Sequence, residues 1–147
     1  SMFGHMGIEM DPRELTDHEY NALKAAIALH KEHREFIHAA DLYRLDSDDL
    51  SINFGLIDEQ KSKALFAYNS VRETPRTAPN KLRFVGLDAD TQYTLNLVWP
   101  VKFEEYRPSF IAAVNGQTFT GEALMEFGLQ MPIAFPQTSL IFELNKA

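Results

Sequence analysis

The stretch Gln92-Tyr93-Thr94-Leu95-Asn96-Leu97-Val98-Trp99 carries the strongest two-residue period in the chain. Tyr93, Leu95, Leu97 and Trp99 fall on one face, and Pro100 ends the run. A strand with one apolar face needs a second layer to bury it. The same period recurs outward in both directions. Toward the N-terminus, Leu82 and Phe84 share a face, with Lys81 and Arg83 opposite, and Gly86-Leu87-Asp88-Ala89-Asp90 reads as a turn. Leu50, Ile52, Phe54 and Leu56 alternate with Ser51, Asn53 and Gly55, a half-buried strand whose larger residues are expected to face the core. The polar tip Asp58-Glu59-Gln60-Lys61 links it to a returning strand over 63–71 with Leu65, Phe66 and Tyr68, a hairpin. Residues 41–46 suit a first strand, and 72–80, with Pro75 and Pro79, a loop. Toward the C-terminus, residues 101–119 show no clear period. Thr120-Gly121-Glu122-Ala123 reads as a cap for one or two helical turns ended by Gly128. Leu140, Phe142 and Leu144 mark a last strand over 138–145. Six or more antiparallel strands imply a mainly β fold, an antiparallel β-sandwich of Greek-key type.

One long helix precedes the strands. Thr16-Asp17-His18-Glu19 is a capping box, and a helix over about 16–38 follows, with Tyr20, Leu23, Ile27, Phe36 and Ile37 at apolar positions. Its middle, Ala22 to Leu29, is apolar nearly all round, which predicts protein on both sides of it. Residues 3–9 read as a short strand or loop. Asp11-Pro12 reads as a turn whose proline starts a helical turn.

Composition narrows the function. The 147 residues suit one domain of ordinary size. Hydrophobic residues make up 45% and aromatics 12%, as expected of a folded chain with a core. The net charge of -7 and the lack of a Lys/Arg run argue against a nucleic-acid partner. Cysteine is absent, which excludes disulfides and thiolate metal sites and fits a cytoplasmic address. No apolar run is long enough for a membrane helix, and no partner membrane is expected. The N-terminus lacks the charged and apolar regions of a signal peptide.

A series of phrases carries a family resemblance. Phe3-Gly4-His5-Met6-Gly7-Ile8-Glu9-Met10-Asp11 resembles the last barrel strand of the glycoside hydrolase family 36 α-galactosidases of bacteria. Glu19, Leu23, Ile27, Lys31 and Arg34 match the spacing of their closing barrel helix. Ser62-Lys63-Ala64-Leu65-Phe66, Leu82 to Asp88, Gly121 to Met125 and Gly128 to Pro132 resemble further phrases of that family, in the same order along nearly the whole chain. The resemblance implies a C-terminal piece: residues 1–39 as the last strand and helix of a truncated (β/α)8 barrel, and residues 40–147 as the C-terminal antiparallel β-sandwich domain. It implies a parent that removes terminal α-galactose with retention, using two carboxyl groups. In the family both are Asp residues on earlier barrel strands. Neither the lysine–tryptophan–aspartate phrase of the nucleophile nor the glycine-rich phrase before the acid/base occurs here. The chain is therefore expected to have no catalytic residue, no cofactor and no metal, and to be inactive alone. Its expected partner in the parent is the barrel catalytic domain, and the orphaned 16–38 helix is expected to pair two copies as a homodimer.

Four groups of residues merit a functional reading beside a plainer one. His30 and His33 have metal-compatible spacing but read as a partly exposed pair on the helix. Glu9 and Asp11 would face the active-site mouth of a barrel, yet Asp11 also suits a turn start and Glu9 a local hydrogen bond. Tyr68, Tyr93 and Trp99 would make a sugar-stacking platform, yet on alternating strands they read as core. Asp46, Asp48 and Asp49 suit calcium less well than a solvated turn. The rival functions are a free carbohydrate-binding sandwich and an immunoglobulin-like interaction module. A free module has no use for the long apolar helix.

Overall fold

The computed structural model describes residues 2–75, 77–100 and 111–147. The chain divides into two units, Ser1–Ala40 and Asp41–Ala147.

In the first unit, residues 3–9 form no strand. Asp11 caps a single 3-10 turn, Pro12–Glu14, by accepting from the Arg13 amide at 3.0 Å. Proline suits that first position because its missing N–H would have no partner there. The capping box closes as expected. Thr16 Oγ1 accepts from the Glu19 amide, and Glu19 Oε2 accepts from the Thr16 amide at 2.9 Å. Helix α1 then runs from Asp17 to Ala39. His30, His33 and Ile37 form its buried stripe. Leu23, Ala26, Ile27 and Leu29 are half-buried, while Tyr20, Ala22 and Ala28 are exposed. Within this chain its apolar middle is thus only partly covered.

The described strands of the second unit all pair antiparallel. Strands β1 (Asp41–Arg44), β2 (Ser51–Ile57), β3 (Lys63–Ser70), β4 (Lys81–Leu82) and β5 (Gln92–Trp99) are followed by a short helix, α2 (Ile111–Val114). Then come β6 (Gln117–Thr120), α3 (Gly121–Glu126), β7 (Leu129–Gln130) and β8 (Thr138–Lys146). One sheet has the order β1-β2-β3-β8-β5-β6, and β4 pairs with β7 in a second, narrow sheet. The last strand thus fills the gap between β3 and β5. Phe66 faces Phe142 across β3 and β8, and Leu95 faces Leu144 across β5 and β8. Strands β6 and β7 lie in segments too short and mixed to show a period. Of the 101–119 stretch, residues 101–110 fall outside those described.

The core lies between the two sheets. Phe66, Tyr93, Leu95, Leu140, Phe142 and Leu144 from the large sheet pack with Leu82, Phe84, Leu124, Leu129 and Met131. Phe84 presents an edge-to-face contact to Phe66 at 5.0 Å and to Phe142 at 6.2 Å. Such pairs add to the value of the buried area itself. Thr120 caps α3 by accepting from the Ala123 amide at 3.1 Å, and Gly128 follows the helix with φ +61, the left-handed region that glycine enters without penalty. A Cβ there would also meet the Leu82 carbonyl oxygen at 2.5 Å.

Strand β2 corrects one expectation. Its core-facing residues are Ser51, Asn53, Gly55 and Ile57, all buried, whereas Ile52 on the other face is 53% exposed and Phe54 half-buried. The cause is steric. Gly55 lies opposite Phe66, and a Cβ on it would sit 2.3 Å from Phe66 Cδ1. The large ring of β3 occupies the space that a side chain of β2 would need.

Candidate functional site

The candidate residues of the first unit are His30, His33, Glu9 and Asp11. His30 and His33 are buried, not partly exposed, at 9% and 2%. Three residues apart, they share the inward stripe with Ile37, and His30 Nδ1 lies 3.2 Å from the Met2 carbonyl oxygen. Among the described residues no three His, Asp or Glu side chains are grouped to hold a metal. Asp11 pairs with Arg13, and this side-chain bond, with the Arg13 amide, holds its carboxyl below the usual carboxylate range. Glu9 is exposed and makes no hydrogen bond among the described residues.

In the second unit, Tyr68 and Tyr93 are core residues, at 5% and 0% exposure. The Tyr93 hydroxyl donates to the Lys61 carbonyl at 2.8 Å and accepts from the Asp88 amide at 3.2 Å. Burial pushes both phenols up, and the charge of Asp48 adds to the effect on Tyr68. Trp99 is half-buried. The three rings do not present a common exposed platform.

The acidic run is more organised than a solvated turn. Asp46 and Asp49 are exposed, but Asp48 ties two segments together. Its Oδ1 accepts from the Leu50 amide at 2.9 Å and the Ser51 amide at 2.8 Å, and its Oδ2 accepts from Asn80 Nδ2 at 3.0 Å. Gln130 Nε2 donates to the Pro79 carbonyl at 2.8 Å, fixing the 79–80 segment to β7. Between these segments opens a polar cleft of about 330 Å³, lined by Asp46, Ser47, Asp48, Ser51, Asn80, Lys81 and Arg83.

The wall behind it is polar too. Ser51, Asn53 and Ser70 are buried at one end of β2 and β3, with Ser51 opposite Ser70. Asn53 Nδ2 donates to the Asp46 carbonyl at 2.7 Å and to Ser51 Oγ at 3.1 Å, while its Oδ1 has no hydrogen-bond partner among the described residues. Buried polar groups of this kind are costly unless paired. Sequence reasoning missed this cluster because it assigned Ser51 and Asn53 to the solvent face of their strand.

The geometry is that of an antiparallel β-domain of two sheets, one six-stranded and one two-stranded, with a polar cleft at one end. The model of the glycosyl hydrolase family 36 C-terminal domain matches residues 53–144, and the chain belongs to that family. It is 29% identical to an α-galactosidase of Escherichia coli over 161 aligned positions, which cover 100% of this chain and 22% of that protein. Among solved structures it resembles the family 36 α-galactosidase AgaA of Geobacillus stearothermophilus, solved with 1-deoxygalactonojirimycin. That match has a TM-score of 0.78 at 23% identity, covering 99% of this chain and 18% of AgaA. An α-galactosidase of Lactobacillus brevis gives 0.78 at 19% identity, covering 99% and 19%. The structural likenesses show the fold. The chain spans about a fifth or less of the curated relatives it matches. The family read from the ordered phrases is the family found.

Proposed function

We propose that this chain is the non-catalytic C-terminal domain of an α-galactosidase that releases terminal α-galactose with retention of configuration. The observation that carries this reading is coverage. The match to the Escherichia coli α-galactosidase takes in the whole chain and only 22% of the enzyme, and the family model is that of a C-terminal domain. In this reading residues 1–39 are the end of a barrel, residues 40–147 are the β-domain, and the barrel is the domain's partner. A barrel needs all eight strands to close, so the chain alone has no active site of that type. The absence of cysteine supports a cytoplasmic enzyme. Among the described residues no helix is long and apolar enough to cross a membrane.

The test has two arms. The 147-residue chain should release no nitrophenol from a nitrophenyl α-galactoside, and the product of the longer gene should release it. A native reading frame that ends within this length, or turnover by the chain itself, overturns the proposal. A free carbohydrate-binding module gains no support from the aromatic residues, since Tyr68 and Tyr93 are core. As an isolated piece, the chain is proposed to pair through α1, whose Tyr20 is 52% exposed and whose Leu23 and Ile27 are half-buried. Its solution mass should be that of a dimer and fall to a monomer when Leu23 and Ile27 are changed to Ser.

A further inference from the structure

The cleft between residues 46–51 and 79–83 stands outside any role proposed for the domain. At about 330 Å³ it lies at the small end of the range for small-molecule clefts. Asp48 is engaged by two backbone amides and by Asn80, so its task is to hold the two walls together. Asp46, Lys81 and Arg83 differ from it. All three are exposed at the cleft, and among the described residues their charged groups form no ion pair or hydrogen bond.

The charges balance, with two carboxylates against an ammonium and a guanidinium. A balanced cleft concentrates neither anions nor cations. It does offer strong acceptors and strong donors side by side. A carboxylate accepts only, while Lys and Arg donate only. A pair of neighbouring hydroxyl groups satisfies both at once, each hydroxyl donating to the carboxylate and accepting from the cation.

We infer that this cleft binds a neutral polyhydroxyl ligand, a saccharide unit held at its hydroxyl edge by Asp46, Lys81 and Arg83. The buried polar wall of Ser51 and Asn53 adds polar character at that end of the domain, where the rest of the core is apolar. Among the described residues no aromatic side chain lines the cleft, so weak binding without ring stacking is expected. The site does not depend on whether the chain is catalytic.

The experiment is an amide chemical-shift titration of the whole chain with galactose, glucose, raffinose and, separately, inorganic phosphate and calcium chloride. Saturable shifts with at least one sugar, confined to residues 46–51 and 80–83, are expected. Asp46→Asn and Lys81→Met should each weaken that binding about tenfold, with an unchanged melting temperature. Arg83→Met serves as a second cation variant should Lys81→Met fail to fold. The absence of saturable shifts with any sugar overturns the inference. So do shifts with phosphate or calcium alone, and sugar binding that survives all the variants.

Discussion

Replacing Gly55 by Ala tests the packing on which the large sheet depends. Gly55 and Phe66 face each other across β2 and β3. The added methyl carbon would lie 2.3 Å from Phe66 Cδ1 and 2.5 Å from Cε1. Carbon atoms pack at about 3.5–4.0 Å, so ring or backbone must yield by more than about 1 Å. The ring has little freedom to do so. It is fully buried and held edge-to-face by Phe84, which is held in turn by Phe142. Removing a glycine from a strand interior gains about 0.5–1 kcal/mol, whereas overpacking costs about 1–3 kcal/mol. With an aromatic network as the obstacle, the upper part of that range applies, and a net loss of about 1–2 kcal/mol is expected. At a urea slope of about 1–3 kcal/mol/M, the midpoint should fall by roughly 0.5–1 M. Urea unfolding followed by circular dichroism measures it. The same substitution in a Phe66→Leu background should cost less than about 0.5 kcal/mol, because the obstructing ring is gone. An unchanged or raised midpoint for Gly55→Ala, or an equal cost in both backgrounds, would refute the reasoning.

Gly128→Ala should lower the urea midpoint by the equivalent of at least about 1 kcal/mol, since φ is +61 and the Leu82 carbonyl stands in the way. Phe54→Ala should cost roughly 1–2 kcal/mol against about 3–5 for Phe66→Ala, the first ring being half-buried and the second fully buried; equal costs would contradict the assigned faces. Burial works to raise the Asp58 carboxyl, but bonds from the Ser62 hydroxyl and the Lys63 and Ser62 amides outweigh it and hold it below its ordinary value. The unfolded chain then binds the extra proton first as pH falls, so this stabilisation is complete above about pH 5 and drains away through and below about pH 4. Asp58→Asn should lower the midpoint near neutral pH and flatten the acid decline; an unaltered acid limb would show that other carboxylates set it.

Much of the fold was legible because its elements carry local signals. The capping box fixes the start of α1 within a residue, and Thr120 with Gly128 brackets α3. Tyr93 and Leu95, like Leu140, Phe142 and Leu144, turn their apolar face to the core as the period of two requires. The missed strands, β6 and β7, are four and two residues long. No period can be read from such lengths, and their pairing with β5 and β4 is a tertiary matter. The cleft was hidden for a similar reason. Asp48 meets Asn80 from 32 residues away, and only the folded chain brings Lys81 and Arg83 beside Asp46.

The face of β2 was misread for a deeper cause, and the cause bears on function. Alternation identifies the buried side of a strand only when the other side is wet. Here the middle of the large sheet is apolar on both sides. Ala64, Phe66 and Tyr68 of β3 point into the core, while Leu65 and Ala67 between them are also buried. On β8, Ile141 is buried on the side opposite Leu140 and Phe142. Leu56, Leu65, Ala67 and Ile141 thus form a second apolar face, continued by Phe54 and by the exposed Ile52 and Leu42. The centre of that face is buried within this chain, and its margin, Leu42 at 63% exposure and Ile52 at 53%, is left open. A sheet buried on both sides carries that pattern, with Leu50, Ile52, Phe54 and Leu56 as large as they are and the core-facing positions given to Ser51, Asn53 and Gly55. In the proposed enzyme, the rest of the protein would have that margin, not the whole face, left to cover.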